Sequence, residues 1–415
     1  MLGGGAREHA LCRSFAADPE VTGLACAPGN AGTAALAETL PVDPTDPVAV
    51  ADLAVAWAAD LVVVGPEAPL VAGVADEVRA RGIDCFGPSR QAARLEGSKA
   101  FAKEVMAVAG VATAMAHVCD TADEVAAALD AFGPPYVVKN DGLAAGKGVL
   151  VTDDRDAALA HAAACGRVVI EEFLDGPEVS LLCVTDGTEV VALQPAQDFK
   201  RLGDGDAGPN TGGMGAYSPL PWAGASLADD VVERVVRPTV DELARRGTPF
   251  VGVVYAGLAL TPKGVRVIEF NARFGDPETQ VVLARLRTPL ARVLRAAATG
   301  RLEEVEPLRW SEGAAVTVVV AAPGYPVAPR IGDPVTGLAE ADREEGCYVL
   351  HAATRDLGGT VVSAGGRVLS VVGTGPDLAT ARARAYRGVA RVGLASAQYR
   401  TDIASAAVAD EIVVP

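Results

Sequence analysis

Five of the six lysines in this chain of 415 residues, Lys99, Lys103, Lys139, Lys147 and Lys200, lie between positions 99 and 200, and the other 30 basic residues are arginines. Acidic residues number 53 against 36 basic ones, a net charge of −17. Positive charge gathered in one segment of so acidic a chain suits a local anion such as a phosphate, although taken alone it reads more readily as a few solvated surface lysines in an arginine-biased composition. The most suggestive piece runs from Val137 to Val149, where Lys139 ends an apolar run and Gly142, Gly146, Lys147 and Gly148 follow. Glycines let backbone N–H groups approach phosphate oxygens, and the lysines add charge. The spacing is not that of a Walker A loop, which runs from Gly-Lys-Ser/Thr into a helix. Taken alone, the stretch reads equally well as a hairpin joining two strands.

From Val265 to Gln280 the chemistry is different. On a strand, residues two apart share a face, so Glu269 and Asn271 point one way while Ile268 and Phe270 point into apolar packing. A carboxylate and an amide oxygen are hard ligands, suited to a magnesium that draws its other ligands from water and phosphate. Arg273 projects just beyond on the same face, and Asp276, Pro277 and Glu278 follow in a dense polar run. A Glu and an Arg on one strand face usually make a surface ion pair; that run favours a site instead. Upstream, Val168 to Ile170 lead into Glu171, Glu172, Leu174 and Glu178. Such a strand can offer an apolar wall to a purine and a carboxylate to ribose hydroxyls, or simply enter a solvated acidic turn. Asp198, Phe199, Lys200 and Arg201 precede a loop from Gly208 to Ala216 that holds four glycines with Asn210, Thr211 and Met214. A Gly-rich excursion of that length inside a compact domain is more often functional than idle.

These residues need a scaffold. Up to about residue 95, apolar strands (Leu24 to Ala27, Leu61 to Val64, Ile83 to Phe86) alternate with helical segments, one opened by Asp46-Pro47 and one running from Pro69 to Gly82. That alternation predicts parallel βαβ units with ligands at the carboxyl ends of the strands, where the loops Pro28 to Gly32 and Gly65 to Pro69 fall. Mixed helices and strands fill 91 to about 300. The last segment, from about 308, opens with an apolar strand from Gly313 to Ala322 and ends with a helix through Arg382 and Tyr386; with no lysine and no cluster of acid, base and glycine, it reads as scaffold. The length predicts two to four domains. A composition of 50% hydrophobic and 21% charged residues excludes a disordered or fibrous chain. The charge argues against nucleic acid. Seven scattered cysteines predict neither zinc nor disulfides, and no apolar run approaches a bilayer span or a signal peptide, so a cytoplasmic protein without membrane partners is expected.

In their order these motifs closely resemble the phosphoribosylamine–glycine ligases, or glycinamide ribonucleotide synthetases, a family of ATP-grasp ligases of purine synthesis. The likeness covers nearly the whole chain and is most specific in Gly208 to Ala216 and Arg273 to Gln280. It implies an α/β fold in three parts: an N-terminal parallel-sheet (pre-ATP-grasp) substrate-binding domain over 1–95, an ATP-grasp domain over 96–300 with a small mobile lid at about 118–180, and a C-terminal α+β domain over 308–415. It also implies that ATP, with Mg²⁺ or Mn²⁺, drives the joining of glycine to 5-phosphoribosylamine through glycyl phosphate. By resemblance Glu269 and Asn271 hold the metal. Lys99, Lys139, Gly146, Lys147 and Gly148 meet the phosphates, and Glu171, Glu172, Leu174 and Glu178 hold adenine and ribose. Arg273, Asp276 and Lys200 take the catalytic positions. Asn30, Gly32, Glu67, Asp198, Arg201, Asn210, Thr211, Gly213, Met214, Pro277 and Glu278 meet the two small-molecule substrates.

The chain departs from the family in four places: only Met1 and Leu2 precede the first glycine loop, Asn140 replaces an alanine, Phe199 replaces a histidine, and about ten residues are missing between Ala158 and Val168 of the lid. Two other readings stand beside this one, a ligase of another carboxylate or a non-catalytic ATP-binding module. A third takes Gly3-Gly4-Gly5 as a dinucleotide fingerprint, although its spacing does not match.

Overall fold

The computed structural model describes residues 1–143 and 148–415. In the N-terminal part, Leu2–Gly3, Ala25–Pro28 and Glu38–Thr39 pair in parallel, as do Leu61–Val63 and Asp84–Phe86. A parallel bridge from Leu2 to Val64 joins the two groups into one sheet. The short strand Leu2–Gly3 thus lies at the centre of that sheet. Asp46 caps the helix Pro47–Ala56 through the backbone N–H groups of Val48 and Ala49, as the Asp-Pro pair requires. The helix expected from Pro69 to Gly82 is instead two, Glu67–Ala72 and Val74–Ala80. Gly73 at φ +93° breaks it, with the Arg90 guanidinium packed where a Cβ would stand.

Two antiparallel sheets build the middle of the chain. Ala116–Cys119, Val168–Glu171, Tyr136–Asn140 and Val149–Thr152 form one, covered by the helices Ala122–Phe132 and Arg155–Ala164 over a small core that includes Leu129, Val138 and Ile170. The segment from Ala158 to Val168, where the shortening is expected, holds the last residues of the helix Arg155–Ala164 and a tight return to Val168. The second sheet has the order Val190–Ala192, Glu178–Asp186, Val251–Thr261, Gly264–Asn271. The two sheets face each other across a cleft.

Gln197–Asp198 and Gly215–Ser218 leave the middle segment and complete a five-stranded sheet with Ala314–Ala321, Arg367–Gly375 and Cys347–His351. The helix Leu378–Val389 packs on that sheet. Strand pairing therefore ties the glycine-rich loop between Asp198 and Gly215 to the C-terminal part. Among the described residues no helix is long and apolar enough to cross a membrane.

Candidate functional site

The cleft has a volume of about 1050 Å³ and draws its walls from all three parts of the chain. On the side of the sheet that holds Tyr136–Asn140, Lys139 places Nζ 2.8 Å from Glu171 and 2.9 Å from the carbonyl of Ile268. Lys103 takes the other oxygen of Glu171 at 3.0 Å and also donates to Thr113 Oγ1 and the Ala114 carbonyl, both at 2.9 Å. Glu171, expected beside adenine and ribose, lines the cleft, and its buried carboxylate pairs with two ammonium groups, since an unpaired charge there would be costly. Lys99 opens the helix Lys99–Ala109, lines the cleft and, among the described residues, bonds only the Gly142 carbonyl, at 3.4 Å. Gly148 and Leu174 line the same wall, and Glu172, which also lines it, accepts from the Met115 N–H at 2.9 Å. Gly146 and Lys147 lie outside the described residues.

Across the cleft, Gly264–Asn271 carries Glu269 and Asn271 on one face. A bulge opposite Gly257 and Leu258 leaves Ile268 unpaired, so it lines the cleft instead of packing into the core, and its carbonyl is free to accept from Lys139. Phe270 does point into the core. Among the described residues no donor is bonded to the Glu269 carboxylate. Burial would push it up, but Lys200, Lys139, Lys99 and Arg273 together hold it below the usual carboxylate range. An ionised carboxylate free of donors, beside the amide oxygen of Asn271, fits a hard divalent cation.

Arg273 is clamped. Its guanidinium meets Glu67 at 3.1 Å, Glu96 at 3.2 Å, the Phe274 carbonyl at 3.2 Å and Asn271 Oδ1 at 3.5 Å. Burial tends to raise the Glu67 carboxyl, yet Arg273 and Arg7 keep it low; at Glu96 burial prevails over the same arginine and the carboxyl is raised. Asp276 is held low against burial by Arg367 and Arg7. Arg367 reaches the carbonyls of Gly212 and Asp276 at 2.6 and 2.7 Å and the Asp276 carboxylate at 3.1 Å. Tyr325 accepts from the Gly212 N–H at 2.9 Å. Arg367, Gly366 and Tyr325 line the cleft, so the C-terminal segment, expected to be scaffold, supplies part of the site wall.

Lys200 pairs with Glu178 and lies 3.9 Å from Asp198. Burial pushes the Asp198 carboxyl up to about 7, with Lys200 opposing and Glu278 and Glu178 adding to the rise. Thr211 donates through both N–H and Oγ1 to the Lys200 carbonyl, Asn210 reaches the Val149 carbonyl at 3.2 Å, and Arg201 reaches that of Gly208 at 2.9 Å; all three line the cleft. Glu278 receives the Tyr255 hydroxyl at 2.6 Å.

Five residues expected to touch substrates do not line this cleft. Asn30 spends its amide on the carbonyls of Gly4, His351 and Ala352 and its oxygen on the N–H groups of Gly32 and Thr33, bolting the N-terminal loop to the C-terminal sheet. Gly32 sits against the rings of His9 and His351, where a Cβ would collide. Met214 is fully buried with its N–H given to Phe199. Gly213 and Pro277 pack against each other. Arg7, Glu96, Tyr255, Tyr325 and Arg367 also line the cleft, outside the residues expected there. Arg7 and Glu96 stand in Gly5 to Ala10 and Leu95 to Phe101, stretches that share the family likeness, whereas Tyr255, Tyr325 and Arg367 lack a local pattern and meet the others only through folding. The glycines at the start hold no dinucleotide cradle: the Glu8 carboxylate accepts from the Gly5 N–H at 2.6 Å and occupies the helix N-terminus where a pyrophosphate would sit.

Three family models match in sequence: the phosphoribosylglycinamide synthetase N domain over residues 1–96, the ATP-grasp (A) domain over 97–279 and the C domain over 315–406. The phosphoribosylamine–glycine ligase of Streptomyces coelicolor is 69% identical over 98% of both chains, and that of Mycobacterium tuberculosis is 57% identical over 97% of this chain and 96% of its own. The crystal structure of the Thermotoga maritima ligase superposes with a TM-score of 0.84 at 34% identity, covering 97% of this chain and 98% of that one. A biotin carboxylase domain from Hydrogenobacter thermophilus, 18% identical with a TM-score of 0.71 over 96% of this chain and 91% of its own, shares the fold. The chain belongs to the phosphoribosylglycinamide synthetase family of ATP-grasp enzymes.

Proposed function

We propose that this chain joins glycine to 5-phosphoribosylamine at the expense of ATP, giving glycinamide ribonucleotide, ADP and phosphate through glycyl phosphate, with Mg²⁺ or Mn²⁺ held by Glu269 and Asn271. The observation that carries the reading is the Glu269 carboxylate, held low by its cationic neighbours and without a donor among the described residues, facing a cleft that also holds Lys99, Lys139, Lys200 and Arg273. A carboxylate is a poor electrophile until one oxygen is phosphorylated, so the reaction needs charge neutralisation and alignment, with no protein nucleophile. A bound divalent cation supplies part of that neutralisation. Lys139, fixed by Glu171, and Lys99 meet the phosphates of ATP, and Leu174 and Glu178 flank adenine and ribose. The lid sheet closes over the nucleotide to exclude water.

The clamped Arg273 faces the acyl phosphate and stabilises its charge. Asp276 and Glu278 orient the glycine ammonium, Glu67 bounds the phosphoribosylamine side, and Asp198, Lys200 and Thr211 lie where the amine and acyl carbon meet. Release of ADP, followed with each component omitted in turn, tests this. Turnover should need glycine, phosphoribosylamine and a divalent metal together, and equal turnover with another amino acid in place of glycine would overturn the substrate assignment.

A further inference from the structure

Four polar side chains from four elements meet beside the cleft. Ser180 on Glu178–Asp186 has Oγ 2.7 Å from the hydroxyl of Tyr255 on Val251–Thr261, and that hydroxyl donates to Glu278 Oε1 at 2.6 Å. Ser180 Oγ also lies 3.5 Å from Asp198 Oδ1 and 3.5 Å from Glu278 Oε1. Ser180, Tyr255 and Glu278 are all at least 95% buried, and Asp198, Tyr255 and Glu278 line the cleft. Glu278 Oε2 is buried without a partner among the described residues. Two carboxylates are thus linked by two hydroxyls, each able to accept one proton while giving another.

Resting on the reaction proposed above, amide formation releases one proton. The lone pair of the phosphoribosylamine nitrogen forms the C–N bond to the glycyl carbon, the C–O bond to phosphate breaks with its electron pair leaving on phosphate, and one N–H proton departs. We propose that Asp198 accepts this proton and that Ser180 and Tyr255 relay a proton onward to Glu278. Asp198 gives its proton to Ser180 Oγ, Ser180 gives its own to the Tyr255 oxygen, and Tyr255 gives its own to Glu278; both hydroxyls end neutral and the net transfer is one proton. The groups facing Asp198 are Lys200 along its own segment, Glu178 and Ser180 from one strand, Tyr255 from the next, and Glu278 from the helix Glu278–Arg285. A carboxyl poised near neutrality, as Asp198 is, exchanges protons efficiently in either direction.

Ser180→Ala, Tyr255→Phe and the double variant test the relay, with Ser180→Thr as the conservative control that keeps a hydroxyl. Each hydroxyl deletion should lower kcat by about ten- to a hundredfold while leaving KM for ATP and glycine within about twofold. The double variant should be no slower than Ser180→Ala alone, because losing Ser180 already cuts Asp198 off from Tyr255 and Glu278, and Ser180→Thr should recover most of the rate. Unchanged kcat in both single variants, losses that multiply in the double, or a rise in glycine KM alone would overturn the relay. Wild-type protein that releases ADP without need of glycine and phosphoribosylamine would overturn the reaction itself, a different outcome from a fast Tyr255→Phe variant.

Discussion

Lys139 and Glu171 meet at 2.8 Å across two antiparallel strands, diagonally, since Val137 is the residue directly opposite Glu171. Only 5% and 3% of their side chains are exposed, and Lys103 closes on the second carboxylate oxygen. Lys139, which lines the cleft, is therefore aimed by a buried carboxylate.

Glu171→Gln keeps the volume and removes the charge, leaving two buried ammonium groups against a neutral amide. Breaking such a pair should cost about 3–5 kcal/mol of stability and raise KM for ATP. Urea denaturation and ATP titration of turnover check both effects; a loss below about 1 kcal/mol, as for an exposed pair, would show that Glu171 does not aim the lysines.

Glu269→Ala should abolish metal-dependent turnover without unfolding the chain, because Phe270 carries the apolar packing of that strand and Ile268 already faces the cleft. Calorimetric titration with Mn²⁺ in the presence of a non-hydrolysable ATP analogue should lose its signal. Near wild-type activity at saturating metal would remove Glu269 from the metal site.

Gly213 adopts φ +108° and packs against the Pro277 ring. Gly213→Ala should cost about 1–3 kcal/mol in backbone strain. It should also shift Asp276 and Glu278, which flank Pro277, so that turnover falls by up to about a hundredfold. Thermal melting and steady-state kinetics report the two effects separately, and an active, fully stable variant would contradict both.

His9 is buried and accepts from the His351 N–H through Nδ1 at 2.8 Å. Burial above all, with His351 and Arg13 adding, lowers its imidazole from 6.5 to about 3. Between those values the unfolded chain binds a proton that the folded chain refuses, so stability rises with pH across that window, by up to about 1.4 kcal/mol per unit. Above about 6.5 this contribution is fully present, and it is lost as the pH falls toward 3. His9→Asn keeps an acceptor at that place and should flatten the slope between pH 4 and 6.5 relative to the wild type, as measured by denaturant unfolding; an identical slope in both would assign the effect elsewhere.

Much of the site was legible before folding is considered. The parallel N-terminal sheet followed from strands alternating with helices, and the gathering of Lys99, Lys139 and Lys200 at one cleft from the clustering of scarce lysines in one segment. The Glu269/Asn271 pair followed from the two-residue period of a strand, because backbone geometry alone puts those side chains on one face. Spacing of this kind depends only on neighbours in the chain. A single bulge still turned Ile268 out of the core, since register is decided by the partner strand and not by the strand itself.

The rest came from contacts distant in sequence. Arg367 joins Asp276 across 91 positions, Arg273 joins Glu67 across 206, and Asn30 joins Ala352 across 322. No local pattern separates Arg367 from the chain's other arginines, and nothing in the loop from Pro28 to Gly32 reveals that the Asn30 amide will be consumed by carbonyls of the last sheet. The sequence by itself determined which groups could do phosphate and metal chemistry and which strands present them. Tertiary structure alone decided which of those groups keep their charge open to the cleft and which are spent holding the walls together. The reason is that a buried polar group must be paired, and its partner is chosen by packing in three dimensions.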